Sequence, residues 1–272
     1  MRKKRQDEPA RVVPAQRITT RLRWTDLVLP SPILRQLESI CDEITQASSA
    51  ISKSALGGHF NPGLCYLFRG ASGTGKTLAA TLIGGVTGRD VYRIDLSRVV
   101  SKYIGETEKN LATLFEYSGS ANWILLFDEA DALFGKRTGI MDPSDRYANL
   151  ATSYLLQRIE DYEGVVILTS NSSSGIDEAF LRRLRSVVDF PVPDAAARLR
   201  LWRAALPDAV EFAPDVNLDR LAASFEITGG EIAKAMQDAC LRAVGRKARA
   251  ILLTEIEAGI SRGSRERHTR RN

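Results

Sequence analysis

The chain has little cysteine: three residues in 272, Cys41, Cys65 and Cys240, scattered with no paired spacing. A disulfide framework or thiolate metal site is therefore not expected. Long apolar runs are missing too. Nothing approaches the roughly 20 residues that cross a bilayer, and the charged N-terminus is not followed by the apolar stretch of a signal peptide. Both absences predict a cytoplasmic protein with no membrane partner. His-Glu-x-x-His does not occur, so a fused zinc protease has no support. The length allows one α/β domain and a small accessory domain, so any larger assembly has to be built from several copies.

The formal charge of +5 invites a nucleic-acid partner, but its distribution argues against one. Residues 1–23 carry eight Lys/Arg against two acids, and residues 262–272 carry five against one, so the tails hold +6 and +4 and the middle of the chain is −5. The tails are polar and lack apolar periodicity, which predicts basic disordered segments at 1–23 and 262–272. Such tails would hold nucleic acid only weakly and without sequence preference.

What is present is more specific. Gly70-Ala71-Ser72-Gly73-Thr74-Gly75-Lys76-Thr77 is a complete G-x-x-x-x-G-K-[ST] phosphate loop, directly after the apolar run Leu64 to Phe68. Gly70, Gly73 and Gly75 let successive N–H groups turn inward around phosphate oxygens. The helix that follows, with Leu78 in its first turn, adds unpaired N–H groups and a positive dipole end. Lys76 supplies charge for the β- and γ-phosphates, and Thr77 a hydroxyl for Mg²⁺. A nucleoside triphosphate, ATP, is the expected ligand.

A second signal follows the run Trp123 to Phe127, which ends in Asp128-Glu129. That pattern suits a central parallel strand delivering acids at its C-terminal edge. Asp128 is expected to hold Mg²⁺, and Glu129 to polarise the attacking water. Asp131 reads equally as a helix cap.

Strand patterns recur between helical stretches at Leu64–Phe68, Val91–Leu96, Trp123–Phe127, Val165–Thr169 and Val187–Phe190, which predicts a parallel sheet covered on both faces. Gly84-Gly85 inside the helix after the phosphate loop costs roughly 1 kcal/mol per glycine relative to alanine, and close packing against a neighbour is one explanation. Beyond Pro191-Val192-Pro193 the pattern becomes all-helical, with Asp194 capping a helix that carries Leu199, Trp202 and Leu206 on one face. Residues 24–192 thus read as an α/β domain and 193–261 as a small helical domain.

The phosphate loop, Leu-Leu-Phe-Asp-Glu-Ala-Asp-Ala-Leu-Phe-Gly, Leu-Thr-Ser-Asn at 168–171 and the stretch 176–194 together resemble AAA+ ATPases, in the AAA branch of protein unfoldases and remodelling machines. The resemblance covers about residues 24 to 261. It implies a five-stranded α/β P-loop core, a C-terminal α-helical lid and a homo-oligomeric ring, usually of six, with nucleotide between subunits. By resemblance Asn171 is the sensor beside Glu129, against a plain turn asparagine. Arg182 and Arg185, three apart and expected to share a helix face, resemble the arginines that reach a neighbour's γ-phosphate; the alternative is a solvated basic face. Leu-Arg-Arg-Leu-Arg stands where many relatives have Leu-Arg-Pro-Gly-Arg, which keeps Arg183 open as a candidate.

Ser101 to Glu106 resembles the pore loop, in which Lys102, Tyr103 and Ile104 would grip a polypeptide client; a core tyrosine is the competing interpretation. Gly229 and Gly230, in Thr228-Gly229-Gly230-Glu231, correspond to the lid segment that passes near the adenine, and no sensor arginine stands there. The resemblance implies Mg²⁺-dependent ATP hydrolysis that pulls on, unfolds or rearranges a protein. Within the branch, residues 101–116, 127–138, 145–164 and 180–202 are most similar to bacterial ATPases encoded with phage-tail-like contractile injection systems. A DNA-associated loader and an ATP-dependent switch or scaffold are the alternatives; the Tyr-Ile-Gly-Glu loop and the acidic middle argue against the first, Glu129 and the arginines against the second.

Overall fold

Apolar runs that alternate with helices become strands buried on both faces. The computed structural model describes residues 15–51, 63–95, 111–116, 118, 122–131, 153–171 and 178–269. Six strands form one sheet: β1 (Ala15–Ile18), β2 (Leu64–Arg69), β3 (Val91–Ile94), β4 (Ile124–Phe127), β5 (Val165–Ser170) and β6 (Ser186–Asp189), in the order β1-β3-β4-β5-β2-β6. All neighbours are parallel except β1 and β3. Tyr66, Leu67, Phe68 and every residue of β4 are fully buried, as central strands of a two-faced sheet require.

The expected five parallel strands are all present, and β1 is added to them. It lies within the segment expected to be a disordered tail, and its short Ala-Gln-Arg-Ile pattern gives no period to read. Backbone pairing to the edge of β3, from Ala15↔Ile94 to Ile18↔Val91, and an Arg17–Asp90 ion pair of 2.6 Å hold it there.

By its internal contacts the chain divides into two units. The first takes Pro32–Arg69 and Lys76–Asp189 with the N-terminal strand; the second takes Leu22–Ser31, Gly70–Gly75 and the chain from Phe190 on. In the first, helix α1 (Ser31–Ile51) buries Leu37, Ile40, Cys41 and Ile44, the i, i+3, i+4, i+7 stripe of an amphipathic helix. Its Gln36 amide donates to the Ser186 hydroxyl and the Val187 carbonyl at 3.1 and 2.9 Å, which ties α1 to β6. Helix α2 (Lys76–Thr87) follows the phosphate loop, and α3 (residues 111–116), α4 (residues 153–161) and α5 (Glu178–Leu181) complete the described helices. Leu111, Leu114, Phe115, Leu155 and Ile159 pack with Leu125, Phe127, Val166 and Leu168 in one core.

The second unit is built from α6 (Ala195–Ala204), α7 (Leu218–Ser224), α8 (Gly229–Gly245) and α9 (Leu253–Thr269) around Trp202, Met236 and Ile256. Asp194 caps α6 as expected, accepting from the Ala197 N–H at 2.7 Å. Two corrections apply. A two-residue parallel pair, β7 (Glu211–Phe212) and β8 (Ala250–Ile251), interrupts the expected all-helical pattern; strands this short carry no period. Helix α9 also continues into the expected C-terminal tail, where Arg262 reaches Asp238 of α8 at 3.4 Å.

Candidate functional site

In the first unit the C-terminal ends of β4 and β5 bring the polar residues together. The register pairs Phe127 with Leu168, so Asp128 emerges beside Thr169. The Thr169 hydroxyl donates to Asp128 Oδ1 at 2.6 Å and accepts from the Glu129 N–H at 3.0 Å, and the Ala130 N–H donates to the Thr169 carbonyl at 2.7 Å. One residue further along β5, Ser170 Oγ and then the Asn171 N–H donate to the two Asp131 oxygens at 2.6 and 3.0 Å. Asp131 therefore clamps the end of β5 and sets the position of Asn171.

Helix α2 delivers the cation. Lys76 Nζ donates to Asn171 Oδ1 at 2.9 Å, and Thr77 Oγ1 donates to the Asp128 carboxylate at 3.3 and 3.4 Å. Lys76 is only 6% exposed. Burial holds its ammonium below the ordinary lysine value, against the pull of Asp128, Asp131 and Glu129 toward the charged form. A desolvated cation among carboxylates is poised to exchange them for a multiply charged anion.

Glu129 is exposed and sits at φ +54°. A left-handed backbone at a non-glycine residue is uncommon and costs on the order of 1–3 kcal/mol, and such strain gathers at functional sites. Its N–H is held by the Thr169 hydroxyl.

In the second unit, Gly70–Gly75 form the glycine-rich half of the phosphate loop. Gly70 has φ +146°, and a Cβ there would lie 2.2 Å from the Phe190 carbonyl oxygen; Gly73 has φ +80°, and a Cβ there would lie 2.6 Å from Thr228 Oγ1. Only glycine fits either place. The Gly230 N–H donates to the Gly73 carbonyl at 2.9 Å, and a Cβ on Gly230 would meet Gly73 Cα at 2.9 Å. Gly229 and Gly230 are thus brought against the loop, bare backbone to bare backbone. Thr74 is buried and donates to the Ala71 carbonyl at 2.9 Å, while Ala71 and Ser72 are exposed. Leu78 is half-buried in the first turn of α2.

The arginines lie elsewhere. Helix α5 ends at Leu181, so Arg182 and Arg185 do not share a helix face as expected. The chain instead turns through Arg183 N–H to Phe180 and Leu184 N–H to Leu181, and the Arg185 N–H is captured by the Cys65 carbonyl at 2.8 Å, because β6 must start at Ser186 beside β2. Cys65 pairs with Val166, five residues before Asn171, which at about 3.3 Å per residue sets the Arg185 main chain back from the Asn171 end of β5 by roughly 16 Å along the strand direction. Arg183 pairs with Glu160 and Arg185 with Glu43; Arg182 is exposed. The expected client-gripping residues Lys102, Tyr103 and Ile104 lie outside the described residues.

Sequence reasoning missed Thr169, the clamping role of Asp131, and Arg93, whose Nη1 lies 3.8 Å from Asp128 Oδ2. An arginine in an otherwise buried strand was the available signal for Arg93; Thr169 stood inside the Leu-Thr-Ser-Asn segment. The cysteines add no chemistry: burial pushes the Cys65 thiol up to about 12 and the Cys41 thiol up to about 11.

Residues 66–192 match the family described as "ATPase family associated with various cellular activities (AAA)". The chain is 32% identical over 185 residues to the ATPase family gene 2 protein of Schizosaccharomyces pombe, covering 66% of this chain and 23% of that protein. It is 30% identical over 204 residues to the A-like 1 form of the katanin p60 ATPase-containing subunit from Oryctolagus cuniculus, covering 71% of this chain and 41% of the relative. The ATP-dependent zinc metalloprotease FtsH 3 of Sphaerobacter thermophilus is 31% identical over 204 residues, with 72% and 41% covered. This chain spans well under half the length of these relatives. Phosphate loop, acidic strand end and polar β5 terminus all fall within the matched segment, and residues 66–192 are an ATPase domain of the AAA family.

Proposed function

We propose that this protein is a Mg²⁺-dependent ATPase that assembles with copies of itself into a ring, six being the expected number, and uses hydrolysis to remodel a protein client in the cytoplasm. The observation that carries the reading is the convergence of Lys76, Thr77, Asp128 and Asn171 at the ends of β4 and β5. The loop backbone and Lys76 hold the phosphates. Thr77 and Asp128 offer hard oxygens suited to Mg²⁺, which takes few protein ligands beside phosphate and water; when bound, it neutralises charge on the transferred phosphoryl group. Glu129 takes the proton of the attacking water, and Asn171 orients that water. Gly229 and Gly230 border the adenine.

Arg185, with Arg182, serves the site of an adjacent copy. The roughly 16 Å by which the Arg185 main chain is set back from the Asn171 end of β5 supports this division. Lys102, Tyr103 and Ile104 grip the client. Similarity to ATPases encoded with contractile injection systems makes a component of a phage-tail-like particle the proposed client. Among the described residues no helix is long and apolar enough to cross a membrane.

The test uses the Glu129→Gln protein, which should hold ATP without consuming it. Light scattering should show a ring that forms with ATP and persists, and affinity capture should recover the client with it. A protein that stays monomeric with ATP at every concentration would overturn the ring.

A further inference from the structure

Arg185 is held at two points. Its main chain is fixed by the bond to Cys65, and its Nε donates to Glu43 Oε2 at 3.1 Å. The same oxygen accepts from the hydroxyl of Tyr66 at 3.0 Å, and Tyr66 is fully buried in β2. Glu43 thus stands between a rigid core residue and a guanidinium whose side chain is 56% exposed. Only Nε is used. Among the described residues neither terminal nitrogen of Arg185 has a partner, so the planar fork that matches two phosphoryl oxygens is left open. Arg183 differs, because its terminal Nη1 is engaged by Glu160.

We infer that Glu43, anchored by Tyr66, is a positioning residue for Arg185: it grips the guanidinium from behind and presents the terminal fork to the phosphate held by a second copy. The inference rests on the reading of Arg185 as a group that acts across the interface between copies. An ion pair this exposed contributes little to stability, whereas a misplacement of about 1 Å at a reacting centre costs up to about a hundredfold in rate. Glu43 therefore shows itself in turnover and not in folding.

Glu43→Gln keeps an acceptor for Tyr66 and removes the charge that holds Arg185. The expected result is a fall in kcat of about tenfold or more, with KM for ATP and melting temperature nearly unchanged. Combined with Arg185→Ala it should add nothing to the loss from Arg185→Ala alone. Mixing Glu43→Gln protein with Lys76→Ala protein, which has no working site but an intact arginine and brace, should restore part of the turnover. Tyr66→Phe, which removes only the hydroxyl, should give a smaller loss restored in the same way, and keeps the test open if Glu43→Gln folds poorly. Full kcat in both variants beside a disabled Arg185→Ala would overturn the brace and leave the role of Arg185 standing. Full turnover by Arg185→Ala would overturn both, and a loss that mixing does not repair would place the defect in the variant's own site and overturn the brace.

Discussion

In the proposed function Lys76 and Glu129 meet the same nucleotide with different tasks, so their substitutions should separate. Lys76→Ala removes a charge-assisted contact of up to ~3 kcal/mol and should weaken ATP binding by about two orders of magnitude. Glu129→Gln should bind ATP normally and lose about 10²- to 10⁴-fold in turnover. Titration with a fluorescent ATP analogue beside phosphate release checks both, and normal turnover by Glu129→Gln would remove it from the role of base. These residues were legible because each stands in a contiguous pattern whose chemistry is fixed by spacing. Their supports were not, since Thr169 and Asp128 are 41 positions apart, Ser170 and Asp131 39, and Arg185 and Glu43 142. Only the tertiary fold, through sheet register for the first two and the packing of α1 for the third, brings such pairs together.

Helix α2 carries two glycines that look alike in the sequence and differ in their surroundings. A Cβ on Gly84 would lie 2.3 Å from Val91 Cγ2 and 2.9 Å from the Arg89 carbonyl, whereas one on Gly85 meets nothing within 4 Å. Close packing thus accounts for Gly84 and not for Gly85. Gly84→Ala should destabilise by about 1 kcal/mol or more, and Gly85→Ala should stabilise by about 0.5–1 kcal/mol; urea unfolding compares them. In the second unit Glu255 of α9 accepts from Arg246 Nε and Nη2 at 2.8 and 3.0 Å and from the Leu252 N–H at 2.9 Å. The Arg246 bond holds its carboxyl below the ordinary 4.5, with the Leu252 bond adding to it. A depressed carboxylate stabilises the fold above its unfolded value and loses that contribution as pH falls through the folded one. Glu255→Gln should therefore lower the melting temperature near pH 7 and narrow its gap to the parent protein below about pH 4.5; a gap constant from pH 3 to 7 would contradict this. Strands β2 to β6 were legible as continuous apolar runs. By contrast β1, β7 and β8 owe their existence to pairing with neighbours remote in sequence.

For the whole molecule, the proposed role of Arg185 at the site of a second copy would make hydrolysis a property of more than one copy. Specific activity should rise with protein concentration across the range in which light scattering sees assembly, and a flat profile would contradict the shared site. Tyr103→Ala should leave ATP affinity and basal hydrolysis nearly intact while client-dependent work is lost; a core tyrosine would instead cost roughly 3–5 kcal/mol of stability and lower the melting temperature. The helical unit, finally, draws on three separate stretches of chain, Leu22–Ser31, Gly70–Gly75 and everything from Phe190 on. A cut between Asp189 and Phe190 leaves its larger piece without the other two. A chimera that borrows this unit from one protein for another has to transplant the glycine half of the phosphate loop with it, so the two stretches are exchanged as one inheritable block.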